Sequence, residues 1–277
     1  MILKRGKRNS WFQFPTLIEF PDIQHGIFTR NQGYSLGPFR SMNVSFGVGD
    51  RKKHVQKNRH LVSQCMDGAE LVFINQVHGE AVLVLKNENK YRVETPPASF
   101  TADAIVTDIP NHLLVIQVAD CQSVLMFDPE QHVVANVHCG WRGSINGIIG
   151  ETVGVMKSYF GCQGPDIRAG IGPSLGPCCA EFVNFKKEIP NKFWKYKDRS
   201  DRFDFWAISR DQLNIAGVLL KNIFLSNMCT RCRTDHFFSF RREGTTGRFA
   251  VAIGLKNDQR KTKSGYHNTI KKQNLSS

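Results

Sequence analysis

The stretch QVADCQSVLMFDPEQHVVANVHCGWRG, residues 117–143, holds two apolar runs separated by a polar turn. Short apolar runs bounded by turn residues are typical of buried strands, and their close spacing predicts a β-hairpin. Cys121 stands just before the first run, and His138 and Cys139 follow the second. The pattern therefore places reactive side chains at adjacent strand ends, where a rigid scaffold presents functional groups.

Helices and further strands are predicted on both sides of this hairpin. Apolar residues recur at helical spacing over 145–160, and Gly161 is suited to end that helix. Ser209 and Gln212 have the spacing of a capping box, and Asp50 is a candidate N-cap. Other strands are predicted at 71–77, 81–85, 113–119, 237–240 and 249–255. With no repeat or linker, the order predicts a single layered α/β domain with mixed sheets.

The composition indicates a globular enzyme-sized protein. The chain has 277 residues, of which 41% are hydrophobic, so it can bury a substantial core. No run of about 18 apolar residues and no secretory signal is present, so we expect no membrane association and a cytoplasmic location. The eight cysteines are expected to be reduced thiols, because a chain of this size needs no disulfide framework.

The positive charge is concentrated at the two ends of the chain. Residues 1–10 carry four basic side chains and no acid, and residues 256–277 carry six against one acid. Without these ends the formal charge falls from +13 to +4, so we expect no specific nucleic-acid binding. We predict a basic N-terminal extension at 1–20, a catalytic domain at 21–255 and a basic, disordered tail at 256–277.

A third reactive side chain, His78, also follows an apolar run directly. Two imidazoles and a thiolate suit zinc, since His78, Cys121 and His138 would leave the fourth tetrahedral position free for water or substrate. Their separations of 43 and 17 residues match no zinc-finger spacing, so buried cysteine and capping histidines remain alternatives. The same residues also suit a hydrolase with Cys121 as nucleophile and a histidine as base.

An ordered set of strings from about residue 28 to 253 resembles the YfiH-type laccase-domain family, also described as multicopper polyphenol oxidase domains and as purine nucleoside phosphorylases. The strings are FTRNQGYSLGPFRSMNVSFGVGD, NQVHG, TADAIVTD, VADCQSVLMFDP, VHCGWRG, IGPSLGPCCAEF and FFSFRREGTTGRFA. The resemblance implies a layered α/β fold of the putative cysteine hydrolase type. It also implies a catalytic zinc held by His78, Cys121 and His138.

The resemblance further implies phosphorolysis of adenosine, inosine, guanosine and methylthioadenosine, together with deamination of adenosine. The partners would then be purine nucleosides and inorganic phosphate. Cys121 and His138 are the catalytic candidates, and Asp120 would orient a histidine or act as a base. Arg142 is the first candidate for binding phosphate, with Arg40, Arg241 and Arg242 as weaker ones. The oligomeric state is not predicted.

Several alternatives stay open at this stage. Some members of the family resemble amidases of cell-wall precursors, which favours the cysteine hydrolase as the main rival. A copper polyphenol oxidase fits less well, because the nine histidines include no His-x-His pair, although Cu²⁺ at a Cys/His site is an alternative to zinc. Cys139 is either a packed spacer or an extra ligand. Cys229 and Cys232 have half of a zinc-ribbon spacing, for which a redox pair or plain packing is the preferred interpretation.

Overall fold

A computed structural model describes residues 1–7, 9–86 and 100–257. Two six-stranded sheets pack face to face, and helices cover their outer faces. The central core joins side chains of both sheets, such as Ile116 and Val251 from one and Leu125 and Phe127 from the other. Within the described ranges, every helix is too short or too polar to cross a bilayer. The predicted layered α/β class with mixed sheets is confirmed.

Both sheets mix parallel and antiparallel pairs. The first has the order β1-β2-β3-β12-β7-β4 and the second β11-β10-β8-β9-β6-β5. The strands are β1 Ile2–Arg5, β2 Ser10–Gln13, β3 Ile23–Phe28, β4 Glu70–Phe73, β5 Val82–Leu85, β6 Ala104–Thr107, β7 His112–Val118, β8 Gln122–Asp128, β9 Val133–Cys139, β10 Arg168–Ile171, β11 Ile223–Leu225 and β12 Phe249–Leu255. The helices are α1 Pro15–Ile18, α2 Lys52–Cys65, α3 Trp141–Asn146, α4 Ile148–Phe160, α5 Phe185–Glu188, α6 Phe205–Ile215 and α7 Phe240–Glu243.

The hairpin predicted from residues 117–143 is β8 and β9, which pair antiparallel in the middle of the second sheet. Side chains alternate between the two faces of a strand. Asn136 of β9 faces the first sheet and donates to the carbonyl oxygens of Leu114 and Val251. His138 lies on that same face, whereas Cys139 packs on the opposite face with α4. The register thus separates the histidine from the neighbouring thiol.

The N-terminal residues are part of the folded body. β1 and β2 extend the first sheet, and Phe14 and Leu17 are fully buried. The basic side chains of residues 1–20 are the reason that the sequence predicts a separate extension there. Burial of the apolar residues in this segment joins it to the core. Residues 258–277, which make up most of the predicted tail, lie outside the described residues. The domain boundaries themselves stay a prediction.

Some local predictions were wrong for identifiable reasons. The single helix expected at 145–160 is divided between two helices. Gly147, with a φ of 90°, ends α3 and precedes α4. Helix α6 begins earlier than the capping-box pattern indicated, because Asp204 accepts from the Ala207 N–H and Ser209 lies inside the helix. Asp50 accepts from side chains of the neighbouring loop instead of capping α2, and residues 237–240 form no strand.

Buried His25 gives the fold a pH dependence. Its Nε2 accepts the Phe14 N–H at 2.8 Å, and burial lowers its pKa from 6.5 to about 4. The unfolded chain therefore binds more protons below pH 6.5, and stability falls as the pH drops from 6.5 towards 4. Urea unfolding between pH 7 and pH 5 should show wild type losing about 2 kcal/mol more than His25→Gln. Equal losses would contradict this role of His25.

Candidate metal centre

The three residues predicted as zinc ligands come together at the ends of strands from both sheets. His78 lies between β4 and β5, Cys121 between β7 and β8, and His138 in β9. Their ligand atoms all lie within 4.8 Å of one another, and Cys121 Sγ is 3.7 Å from His78 Nε2. The two imidazole rings meet edge to face with centroids 4.8 Å apart. His78 is exposed, Cys121 half-buried and His138 buried, so the cluster is open on one side.

This donor set fits a zinc ion. Zn–S bonds of about 2.3 Å and Zn–N bonds of about 2.0 Å set an N···S edge of roughly 3.6 Å in a tetrahedral site. The 3.7 Å between Cys121 Sγ and His78 Nε2 agrees with that edge. Gly140 makes the approach possible, since a Cβ there would lie 2.8 Å from His78 Cδ2. His78 and Asp120 both have positive φ, a conformation that concentrates at functional sites.

A buried carboxylate that sequence reasoning missed supports the cluster. Asp103 accepts from His138 Nδ1 at 2.7 Å, and from the backbone N–H groups of His78 at 2.9 Å and Gly79 at 2.6 Å. The bond between Asp103 and His138 Nδ1 fixes the imidazole of His138 with Nε2 free to bind a metal. From the sequence, Asp120 was a candidate for orienting a histidine or for acting as a base, and in the structure it is Asp103 that contacts His138. The signal available in the sequence was the acidic residue of TADAIVTD, just before β6.

Asp120 has a different set of contacts. Its carboxylate accepts from Thr230 Oγ1 at 2.6 Å and from the Arg241 backbone N–H at 2.6 Å. These bonds tie the residue next to Cys121 to two C-terminal segments of the chain. Asp120 also lines the cleft above the cluster, so its predicted role as a base stays a proposal.

The electrostatics favour a thiolate beside an imidazolium. Burial alone would raise the pKa of Cys121, but the charge of His138 and hydrogen bonds from both imidazoles lower it to about 6. Burial alone would lower the pKa of His138, but the Cys121 charge and the Asp103 hydrogen bond raise it to about 9. A thiolate at neutral pH is the form that binds metals and attacks electrophiles.

The cluster lies in a cleft of about 1140 Å³ whose lining is rich in arginine. Arg142 and Arg241, both predicted from sequence, line it, and so do Arg59 and Arg248, which sequence reasoning missed. Among the described residues, Asp120 supplies the one carboxylate of this lining. The cleft therefore presents net positive charge, which suits an anionic substrate.

The newly found arginines are held in place by neighbouring groups. Arg59 Nε donates to the Val44 carbonyl at 2.8 Å, and its guanidinium lies 3.6 Å from the centroid of the Phe73 ring. Burial lowers the pKa of Arg59 to about 10. Arg248 donates to the carbonyl oxygens of Thr246 and Gly247. Both side chains are thus largely preorganised towards the cleft.

Two other sequence candidates lie outside this cluster. Arg40 is not part of the cleft lining. Its backbone carbonyl oxygen accepts a hydrogen bond from Arg30 Nε. Cys139 is buried against α4, where burial raises its pKa to about 12. Cys139 is therefore a packed spacer between His138 and Gly140, as preferred from the sequence, and belongs to neither ligand group of the described residues.

Comparison with known proteins identifies the family. The model of the multi-copper polyphenol oxidoreductase laccase family matches residues 24–256. The chain belongs to this laccase-domain family. The matched range contains His78, Cys121 and His138, as well as Asp103 and the arginines of the cleft. The resemblance noted from the sequence strings is confirmed.

Other members of the laccase-domain family carry phosphorylase names. The chain is 34% identical to purine nucleoside phosphorylase YfiH of Escherichia coli, over 82% of this chain and 91% of that protein. It is 30% identical to a purine nucleoside phosphorylase of Bacteroides thetaiotaomicron, over 87% and 94%. The crystal structure of YlmD from Geobacillus stearothermophilus superposes with a TM-score of 0.81 at 29% identity, covering 92% of this chain and 99% of YlmD.

Proposed function

We propose that this protein is a zinc-dependent purine nucleoside phosphorylase that cleaves adenosine, inosine, guanosine and methylthioadenosine and also deaminates adenosine. The observation that carries the proposal is the cluster of His78, Cys121 and His138 at the base of an arginine-rich cleft. The names of its family relatives support the phosphorylase reaction. We place the activity in the cytoplasm, where reduced thiols persist.

Phosphorolysis requires a held phosphate and a leaving base. The bond from ribose C1′ to purine N9 breaks, a phosphate oxygen bonds to C1′, and a proton is transferred to the departing base. Positive charge develops on the ribose as the bond breaks, so an anion held beside it stabilises the transition state. Arg142, the first candidate from the sequence, lines the cleft together with Cys121, Arg241 and Arg248, and these three arginines are our candidates for holding the phosphate.

Deamination uses the same cluster with water in place of phosphate. A zinc ion bound by His78, Cys121 and His138 would supply Lewis acidity that lowers the pKa of a bound water. Water adds at purine C6, ammonia leaves, and adenosine becomes inosine. Asp103 keeps His138 in the tautomer whose Nε2 faces the cluster. Asp120 is our candidate for moving a proton in this step, because it lies in the cleft next to Cys121.

Arg248→Met is expected to separate the two reactions. Loss of a charge-assisted bond to phosphate costs about 1.5–3 kcal/mol, so the KM for phosphate should rise about 10- to 100-fold. Adenosine deamination needs no phosphate and should change little, which also shows that the variant folds. Arg40→Met is the matched control, because Arg40 lies outside the cleft lining. A phosphate KM unchanged in Arg248→Met would exclude that arginine from phosphate binding.

The reaction is tested by chromatography of adenosine incubated with and without inorganic phosphate. We expect adenine and ribose 1-phosphate only when phosphate is present, and inosine in both samples. Metal analysis of the same protein distinguishes zinc from copper. The absence of phosphate-dependent adenine release would refute the phosphorylase.

A cysteine hydrolase acting on a cell-wall precursor is the second candidate. Cys121, His138 and Asp103 are arranged as nucleophile, base and orienting carboxylate, and His138 Nδ1 lies 2.7 Å from the carboxylate. A chelator distinguishes the two functions. Amide hydrolysis that persists in metal-free protein and is abolished by iodoacetamide would favour the hydrolase, whereas purine release restored by zinc favours the phosphorylase.

A further inference from the structure

A second group of thiols lies on the side of the molecule where the loops following β10 and β11 meet. It comprises Cys178, Cys179, Cys229 and Cys232, and all four sulfur atoms lie within 4.8 Å of one another. Cys232 Sγ is 3.7 Å from Cys178 Sγ and 3.6 Å from Cys179 Sγ. Cys229 and Cys232 have the spacing of one pair of zinc ligands, and the vicinal cysteines at 178–179 supply the second pair.

We propose that these four thiolates bind one zinc ion in a structural site separate from the catalytic cluster. Four Zn–S bonds of about 2.3 Å form a tetrahedron whose S···S edges are about 3.8 Å. The distances from Cys232 Sγ to Cys178 Sγ and Cys179 Sγ, 3.7 Å and 3.6 Å, match these edges and exceed the roughly 2.05 Å of a disulfide. A set of four sulfur ligands is typical of structural zinc.

The surroundings suit a site with negative charge. The Gly176 N–H donates to Cys229 Sγ at 3.3 Å, a bond that orients a ligand sulfur. A Cβ at Gly176 would lie 2.8 Å from the Trp206 ring, so only glycine lets this loop approach Cys229. The positive charge of Arg231 interacts with Cys179 and would offset part of the charge of a tetrathiolate. Each thiol that is protonated before binding releases its proton to solvent as zinc binds.

The site would clamp two loops, of which the one after β10 lines the cleft through Ser174 and Leu175. Ser174 N–H donates to the Met228 carbonyl and Thr230 N–H to the Ser174 carbonyl, so the loops already pair side by side. Leu175 N–H donates to the Asp120 carbonyl at 2.8 Å, and Thr230 Oγ1 reaches the Asp120 carboxylate. Zinc binding would therefore hold the residue that precedes Cys121 through both loops at once.

The number of zinc ions per chain tests the proposal. The full-length protein, purified under reducing conditions, is compared with C178S/C232S, which replaces the two exposed thiols. We expect C178S/C232S to contain one zinc fewer than wild type. C65S is the matched control and should keep the wild-type content, because Cys65 lies in α2, outside both groups. Equal zinc content in wild type and C178S/C232S would overturn the proposal.

The count is independent of the proposed activity. H78A should lose the catalytic zinc and keep the second one, so a failure at either cluster is distinguishable from a failure at the other. In H78A loaded with Co²⁺ alone, we expect the intense charge-transfer bands of a tetrathiolate. These bands should be absent from the triple variant H78A/C178S/C232S. Bands of equal intensity in H78A and in the triple variant would contradict the site.

A measurement on unmutated protein covers the case in which C178S/C232S does not fold. Cys178 and Cys232 are exposed, so without a metal iodoacetamide should label both quickly. We expect both to be protected until a strong chelator is added, and then labelled, by peptide mass spectrometry. Rapid labelling before the chelator, or a protein lighter by the two hydrogens of a disulfide within the group, would overturn the proposal.

Discussion

Cys121→Ala is expected to lower phosphate-dependent adenine release and adenosine deamination together by about a thousandfold or more, because the thiolate is a ligand for which a methyl group offers no substitute. Its zinc content should fall by one ion per chain. Steady-state rates and metal analysis on the same preparation measure both effects.

Cys139→Ala is the matched control for this variant. Cys139 is an adjacent thiol on the opposite face of the sheet and lies outside the metal-ligating group of His78, Cys121 and His138. The Cys139→Ala variant should keep its zinc and its activity. Its free energy of unfolding should fall only modestly, because the new core side chain is smaller. Zinc retained in Cys121→Ala but lost in Cys139→Ala would reverse our assignment of the two thiols.

Asp103→Asn is expected to weaken zinc binding about 10- to 100-fold, since removing the carboxylate partner of a ligating histidine has effects of this size. The amide lacks the charge that His138 Nδ1 and the backbone N–H groups of His78 and Gly79 now share. Competition titration with a chromophoric chelator measures the affinity, and circular dichroism verifies the fold.

Asp120→Asn is the control variant for Asp103→Asn. Its carboxylate bonds to Thr230 and Arg241 and not to a histidine of the cluster, so zinc affinity should stay near that of wild type. A role of Asp120 as base would lower kcat without changing zinc affinity. If instead Asp120→Asn weakened zinc binding and Asp103→Asn did not, the orienting carboxylate would be Asp120.

The apolar runs in the sequence were sufficient to predict the strands that carry the site. Buried strands such as β8 and β9 consist of short apolar segments ended by polar residues, and this local pattern is independent of the rest of the fold. Cys121 and His138 could therefore be placed at neighbouring strand ends from sequence. His78 could also be placed at a strand end, but preferring it as the third metal ligand required the family resemblance, because it approaches Cys121 only when the two sheets pack together.

Contacts between distant segments were beyond the sequence pattern. Asp103 precedes β6 and meets His138 through pairing of β6 with β9, which no local signal indicates. Arg59 lies in α2 and Arg248 directly precedes β12, and the two converge only at the cleft. The thiols at 178–179 and 229–232 likewise meet because β10 and β11 pair in parallel, so that the loops leaving them run side by side.

The most direct test of a zinc-dependent phosphorylase is to follow phosphate-dependent adenine release while zinc is returned to chelator-treated protein. We predict that the metal-free protein releases almost no adenine, and that activity returns in wild type but not in H78A as zinc is added. Full adenine release by protein verified as metal-free would contradict the role of His78, Cys121 and His138 as a catalytic zinc site.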